Sequence, residues 1–76
     1  MNKERRKRIE EAIAKLSEAK SDIEDIQSEE QEYLDNMPEN MQQGEKADAA
    51  QEAISNMDDA MNYIDDAMSS LEEANG

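Results

Sequence analysis

Several residue types that supply enzyme chemistry are missing from this 76-residue chain, which contains no Cys, His, Trp or Phe and only two Tyr. Without Cys there is no disulfide and no thiolate metal ligand. Without His there is no side chain whose ordinary pKa lies near neutrality. No apolar run approaches the ~20 residues that cross a bilayer. We therefore predict a protein that is not an enzyme, has no cofactor, does not enter a membrane and acts by binding.

Basic residues are also scarce and unevenly placed. The chain has 21 acidic and 8 basic residues, a net charge of -13, and five of the basic residues lie within the first eight. Such a surface repels nucleic acid and anionic lipid, so we expect no direct DNA binding by the acidic surface and a preference for basic partners. The basic start leads into an amphipathic pattern from Ile9 rather than an apolar segment. This predicts no secretory signal and a cytoplasmic location.

A seven-residue pattern, labelled a to g, runs through both halves of the chain from Ile9 and from Ala50. Position a is mostly apolar, b and c are mostly acidic, d is small or apolar, and e is often apolar. Positions a, d and e together span about 100° of a helix, the width of a core-facing stripe. The pattern predicts one domain over residues 1–76, with helices at about 3–35 and 45–74.

The intervening linker, 36–44, contains Pro38, which disfavours helix at the residue before it, and Gly44, which suits a cap or turn. A linker this short predicts an antiparallel hairpin. It would place the basic start of the first helix beside the acidic end of the second.

Alanine dominates position d, at Ala12, Ala19, Ala53, Ala60, Ala67 and Ala74. Small side chains at a repeated core position predict close helix packing, and the seven-residue period predicts a left-handed supercoil. A single hairpin offers few large apolar side chains to offset the entropy of ordering its helices. The predicted fold class is therefore all-α: an antiparallel, coiled-coil-like hairpin with Ala at d, assembling into a homo-oligomer, most simply a dimeric four-helix bundle.

The paired carboxylates lie at b and c, on the solvated side, where carboxyl pKa values stay ordinary. We therefore predict neither a catalytic role nor a metal site for them, and without His a Glu-x-x-His metal motif is excluded. Glu30 is the one acid at an a position. It marks either the widening of the bundle near the linker or a polar register device.

Two charged surfaces are candidate binding sites. Spread along the helices, the carboxylates amount to roughly one per 2.3 Å, against one phosphate per ~1.7 Å of duplex DNA. An acidic surface can therefore mimic nucleic acid in a basic groove, or can serve solubility alone. The candidate residues are Asp58, Asp59, Asp65, Asp66, Glu72 and Glu73.

The second surface is the basic head, residues 3–8. Converging Arg5, Arg6 and Arg8 side chains would hold a phosphate-bearing ligand through bidentate hydrogen bonds. A frayed helix end or a weak nucleic-acid contact are the alternatives.

The linker and its flanks form an aromatic-x-Asp-Asn-Met-Pro-Glu-Asn-like segment that precedes a repetitive Glu/Asp-Ala helix; its residues are Tyr33, Asp35, Asn36, Met37, Pro38, Glu39, Asn40, Gln42, Gly44 and Glu45. With this segment, residues 29–74 resemble small acidic proteins encoded by tailed bacteriophages. The resemblance implies a phage origin without a settled activity, and small acidic phage proteins often resemble inhibitors of host defence. Candidate contact residues in and beside the linker are Tyr33, Met37, Pro38, Asn40 and Met41.

Three functional hypotheses follow. The first is a phage accessory protein in the host cytoplasm that binds and inhibits a basic host protein through its acidic surface. The second is an oligomeric sponge that sequesters a small anionic ligand, such as a nucleotide signal, at the basic head. The third is a structural or oligomerisation element whose partner is itself or another phage protein.

Overall fold

The computed structural model describes residues 1–76 and contains two long helices, α1 (Lys3–Asp35) and α2 (Glu45–Asn75), with a short 3₁₀ helix (Glu39–Met41) in the linker. There are no strands, so the all-α prediction is confirmed. The observed helix bounds differ from the predicted ones by one residue, at the end of α2. Neither helix carries an apolar stretch of the length and hydropathy needed to span a bilayer.

Local residue chemistry explains where α1 begins and ends. The Asn2 side chain accepts a hydrogen bond of 2.8 Å from the backbone N–H of Arg5 and so caps the first turn. At the other end, Pro38 has extended backbone angles (φ -59°, ψ 149°) that turn the chain out of the helix. Gly44, also extended, precedes α2, and its carbonyl accepts the backbone N–H of Asp48.

The two helices are antiparallel neighbours. Lys20 Nζ lies 2.9 Å from Asp65 Oδ1, and Gln27 Nε2 lies 2.7 Å from Asp58 Oδ1. From Lys20 to Gln27 the residue number in α1 rises by seven and that of the partner in α2 falls by seven, so the two helices run in opposite directions. The Cα trace forms a rod with extents of 59 × 15 × 12 Å. The hairpin prediction is confirmed in this respect.

The buried core is thin and lies mainly near the linker. Only Met37, Ala47, Ala50 and Met61 are buried, and no side chain that is charged or polar joins them. Three of these four residues lie within or close to the linker, and Met61 lies near the middle of α2. Most of the contact between the helices is therefore made by half-buried side chains.

The seam between the helices corrects the predicted packing. Most of its buried and half-buried side chains come from positions a and e rather than a and d. They are Ile9, Ile13, Leu16, Lys20, Ile23, Gln27, Glu30 and Leu34 in α1, and Ala47, Ala50, Ile54, Met57, Met61, Ile64, Met68, Leu71 and Asn75 in α2.

The alanines at d flank this seam instead of forming it. Ala12, Ala53 and Ala60 are half-buried. The remaining three, Ala19, Ala67 and Ala74, are exposed. Positions a and e also alternate in steps of three and four residues, and they bring the large Ile, Leu and Met side chains into the seam, which buries more apolar area than alanine does.

Candidate functional site

The acidic face of α2 consists of three carboxylate pairs at positions b and c: Asp58, Asp59, Asp65, Asp66, Glu72 and Glu73. Successive pairs are seven residues apart, which is about 10.5 Å along the helix. All of these residues except the half-buried Asp65 are exposed. The helix therefore displays the predicted residues as a regular ladder of negative charge.

The carboxylates at position b (row b: Asp58, Asp65 and Glu72) and those at position c (row c: Asp59, Asp66 and Glu73) have different surroundings. In row b, Asp65 accepts two hydrogen bonds from Lys20 Nζ, at 2.9 and 3.1 Å, and Asp58 accepts one from Gln27. Gln27 also donates to the backbone carbonyl of Ile54 at 3.0 Å. Asp58 and Asp65 thus fasten α2 to α1, while the carboxylates at position c point away from the seam.

The hydrogen bond to Asp65 raises the pKa of Lys20 above its ordinary value of 10.5; partial burial opposes this shift, and the charges of Asp65 and Glu24 add to it. Sequence reasoning missed the roles of Lys20 and Gln27. The available signal was a pair of polar residues at e, seven positions apart, where Ile13 and Leu34 stand in the adjoining heptads.

The linker residues are divided between surface and core. Tyr33 is 49% exposed and Met41 is 38% exposed, and Pro38 and Asn40 are exposed as well. Met37 is only 7% exposed, so its side chain packs inside the hairpin and is not available as the predicted contact. The Met37 carbonyl also accepts a hydrogen bond from the Gln42 side chain at 3.1 Å, and this bond joins the two ends of the linker.

The basic head projects beyond the end of α2. The antiparallel register set by Lys20 and Gln27 brings Arg8 level with the last residues of α2, so residues 3–7 extend about 7 Å further. The predicted pairing of this head with the acids at the end of α2 is therefore wrong. The hairpin contains one ion pair, Lys20 with Asp65.

Within one chain the head does not form an enclosed anion site. A shallow depression there is lined by Lys3, Glu4, Arg6, Lys7 and Glu10, all from α1. At about 100° per residue, Arg5 and Arg8 lie on one side of the helix and Arg6 lies on another. A single α1 helix therefore directs Arg6 away from Arg5 and Arg8.

No group of three or more acidic side chains is arranged to hold a metal ion. No protein-family model matches the chain, and neither does any curated protein or solved structure. The candidate binding sites of this chain are therefore the acidic face, the exposed linker and the projecting head.

Proposed function

We propose that this chain is a non-enzymatic binding protein whose acidic face occupies the basic surface of another protein and blocks it. In this proposal it is a phage accessory protein that acts in the cytoplasm of the infected host, with a component of antiviral defence as its target. The observation that carries the proposal is the lack of neutralisation along the rod. Of 20 acidic residues from residue 9 onward, only Asp65 is paired with a cation.

The spacing of these charges suits a surface that normally holds nucleic acid. The rod is 59 Å long, about the length of 17 base pairs of B-form DNA. Its exposed carboxylates lie on rigid helices, so little conformational entropy is lost when a partner binds them. Charge complementarity of this kind chiefly speeds association and selects basic partners over acidic ones.

The test uses row c, because substitutions in row b would also disturb the hairpin. The triple variant Asp59→Asn, Asp66→Asn and Glu73→Gln removes three charges from α2 and leaves Asp58 and Asp65 bonded to α1. We expect it to lose the basic proteins that the tagged wild-type chain retains from host lysate at low salt. Native mass spectrometry of the eluted complexes provides the measurement.

A matched control removes three charges from the same row of α1, through Glu11→Gln, Glu18→Gln and Asp25→Asn, all of which are exposed. This variant should retain the partner, because its change in net charge is the same and the acidic face of α2 is intact. Equal retention by both variants would contradict the assignment of binding to α2. Equal loss would indicate an unspecific effect of net charge.

The basic head supports a second candidate, the sponge for a small anionic ligand. Arg5, Arg6 and Arg8 are exposed and form no ion pair, and Arg5 and Arg6 project past the end of α2. Isothermal titration with ATP and with a cyclic dinucleotide tests this function. Stoichiometric binding that is lost when the three arginines are replaced by alanine, but kept in the row c variant, would favour it. A bare oligomer without either kind of partner would favour the structural hypothesis.

A further inference from the structure

One long side of the hairpin carries almost no charge. In α2, every d and g position from Ala49 to Ala74 is uncharged, and all acids beyond Asp48 lie at b or c. The charged g residues of α1 (Lys15, Asp22 and Glu29) border this side, but the d positions of α1, from Ala12 to Tyr33, are uncharged as well. We call these positions together the uncharged face.

Helical geometry places both sets of d positions on the same side. In each helix, d lies about 80° to one side of the a/e seam and b lies about 80° to the other. In an antiparallel pair, flanking positions with the same letter lie on the same side of the seam. The bonds from Lys20 to Asp65 and from Gln27 to Asp58 mark the b side. The d positions of both helices therefore share the opposite side.

Large apolar side chains are exposed on or beside this face. Tyr63 is 71% exposed, Ile26 is 52% exposed and Tyr33 is 49% exposed, and apart from the terminal Met1 these are the three most exposed large apolar side chains. Exposed Ala19 and Ala67 continue this face toward the basic head. Small residues allow helices to approach to about 8 Å, and the larger side chains would fill the gaps between the alanines.

The surface area of the chain is larger than that of a self-sufficient monomer. The hairpin exposes 5810 Å², whereas a compact monomer of 8.6 kDa exposes about 4,700 Å². The excess of about 1,100 Å² exceeds the ~800 Å² that each partner contributes to a standard protein interface. With only four buried residues, the hairpin lacks the core that would stabilise it alone.

We infer that the uncharged face is the docking surface for a second copy of this chain, giving a four-helix bundle with its acidic faces outward. The thin core has to be covered whenever the chain is folded, and a second copy is the partner that is always present with it. Each copy carries a charge of -13, so two copies approach closely most easily along the side with the fewest carboxylates. This inference does not depend on the proposed function, since the acidic faces stay accessible in the dimer.

Two pairs of substitutions at exposed positions test the inference. Tyr63→Glu with Ala67→Glu adds two charges to the uncharged face, and Asn62→Glu with Ser69→Glu adds two charges at f positions, away from it. All four residues are exposed in the hairpin. By sedimentation equilibrium, the wild type should have twice the 8.6 kDa chain mass at micromolar concentration. The first variant should raise the dimer Kd at least about tenfold, a cost of 1.4 kcal/mol, and the second should leave it unchanged.

Chemical cross-linking keeps the test decisive if the first variant fails to fold. The chain has no cysteine, so one introduced thiol has no competitor. Tyr63 lies near the middle of the rod, and Tyr63→Cys should give a covalent dimer with a short bismaleimide in either docking orientation. Asn62→Cys, one residue further round the helix, should not. A folded wild-type monomer, alone or with another protein on this face, would overturn the inference, as would equal cross-linking of both variants.

Discussion

Lys20 occupies a seam position that Ile13 and Leu34 fill elsewhere in α1, and its ammonium group reaches Asp65 from there. The hydrogen bond to Asp65 raises the pKa of Lys20 in the folded chain. A pKa that is higher in the folded than in the unfolded state means that the charged form stabilises the fold. This contribution is complete at neutral pH and is lost as the pH rises through the folded-state pKa, above 10.5. We expect Lys20→Gln to lower Tm at neutral pH, and the difference from wild type to shrink above pH 10.5, as followed by circular dichroism.

Lys15→Gln is the matched control, because it removes the same charge from an exposed position that forms no ion pair. Its effect measures the general loss of a cation from an acidic chain. A drop in Tm that is the same for both variants at every pH would show that the bond between Lys20 and Asp65 adds nothing specific.

At the scale of elements, Met37 ties the linker to the end of the core that also contains Ala47 and Ala50. Truncating a buried Met typically costs ~2–5 kcal/mol, and Met37 is 7% exposed. We expect Met37→Ala to lower the free energy of unfolding by about 2 kcal/mol in urea titrations. Met41→Ala, in the same linker but 38% exposed, should change it by about 0.5 kcal/mol or less. Similar costs for both would mean that the linker is not anchored by Met37.

The sequence predicts the helices well because their signals are local, from the Asn2 cap to the break at Pro38. The sequence does not show which heptad positions form the seam between the helices. Positions a and d are mostly apolar and position e often is, and both a/d and a/e alternate in steps of three and four residues. Two of the four e positions in α1 are polar, Lys20 and Gln27, so in the sequence a/e looks less apolar than a/d, although a/e forms the seam. The choice depends on the area that both helices bury together, and no single helix displays that quantity.

At the scale of the whole molecule, composition predicts an acidic protein that prefers basic partners. It does not predict that residues 3–7 of the basic head project beyond the end of α2. A seven-residue repeat fits equally well when one helix slides by a whole heptad. The register depends on how the linker closes, and that depends on the burial of Met37 and on the bond from Gln42. The sequence does not identify a partner either. The same carboxylates can keep the protein soluble, can mimic nucleic acid, or can face outward from a bundle and repel other acidic molecules.

Repulsion within the free protein and attraction to a basic partner predict opposite effects of salt, the first on Tm and the second on the stability of the complex. Self-repulsion among the carboxylates destabilises the folded chain, and salt screens it, with a Debye length of ~10 Å at 0.1 M and ~3 Å at 1 M. We expect Tm of the free protein to rise between about 0.02 and 0.5 M NaCl, and a complex formed by the acidic face to dissociate over the same range. The row c variant should show a smaller rise, because fewer charges repel. A fall in Tm with salt would mean that attraction outweighs repulsion, and a complex that survived high salt would have to be held by apolar contacts, which the acidic face does not offer.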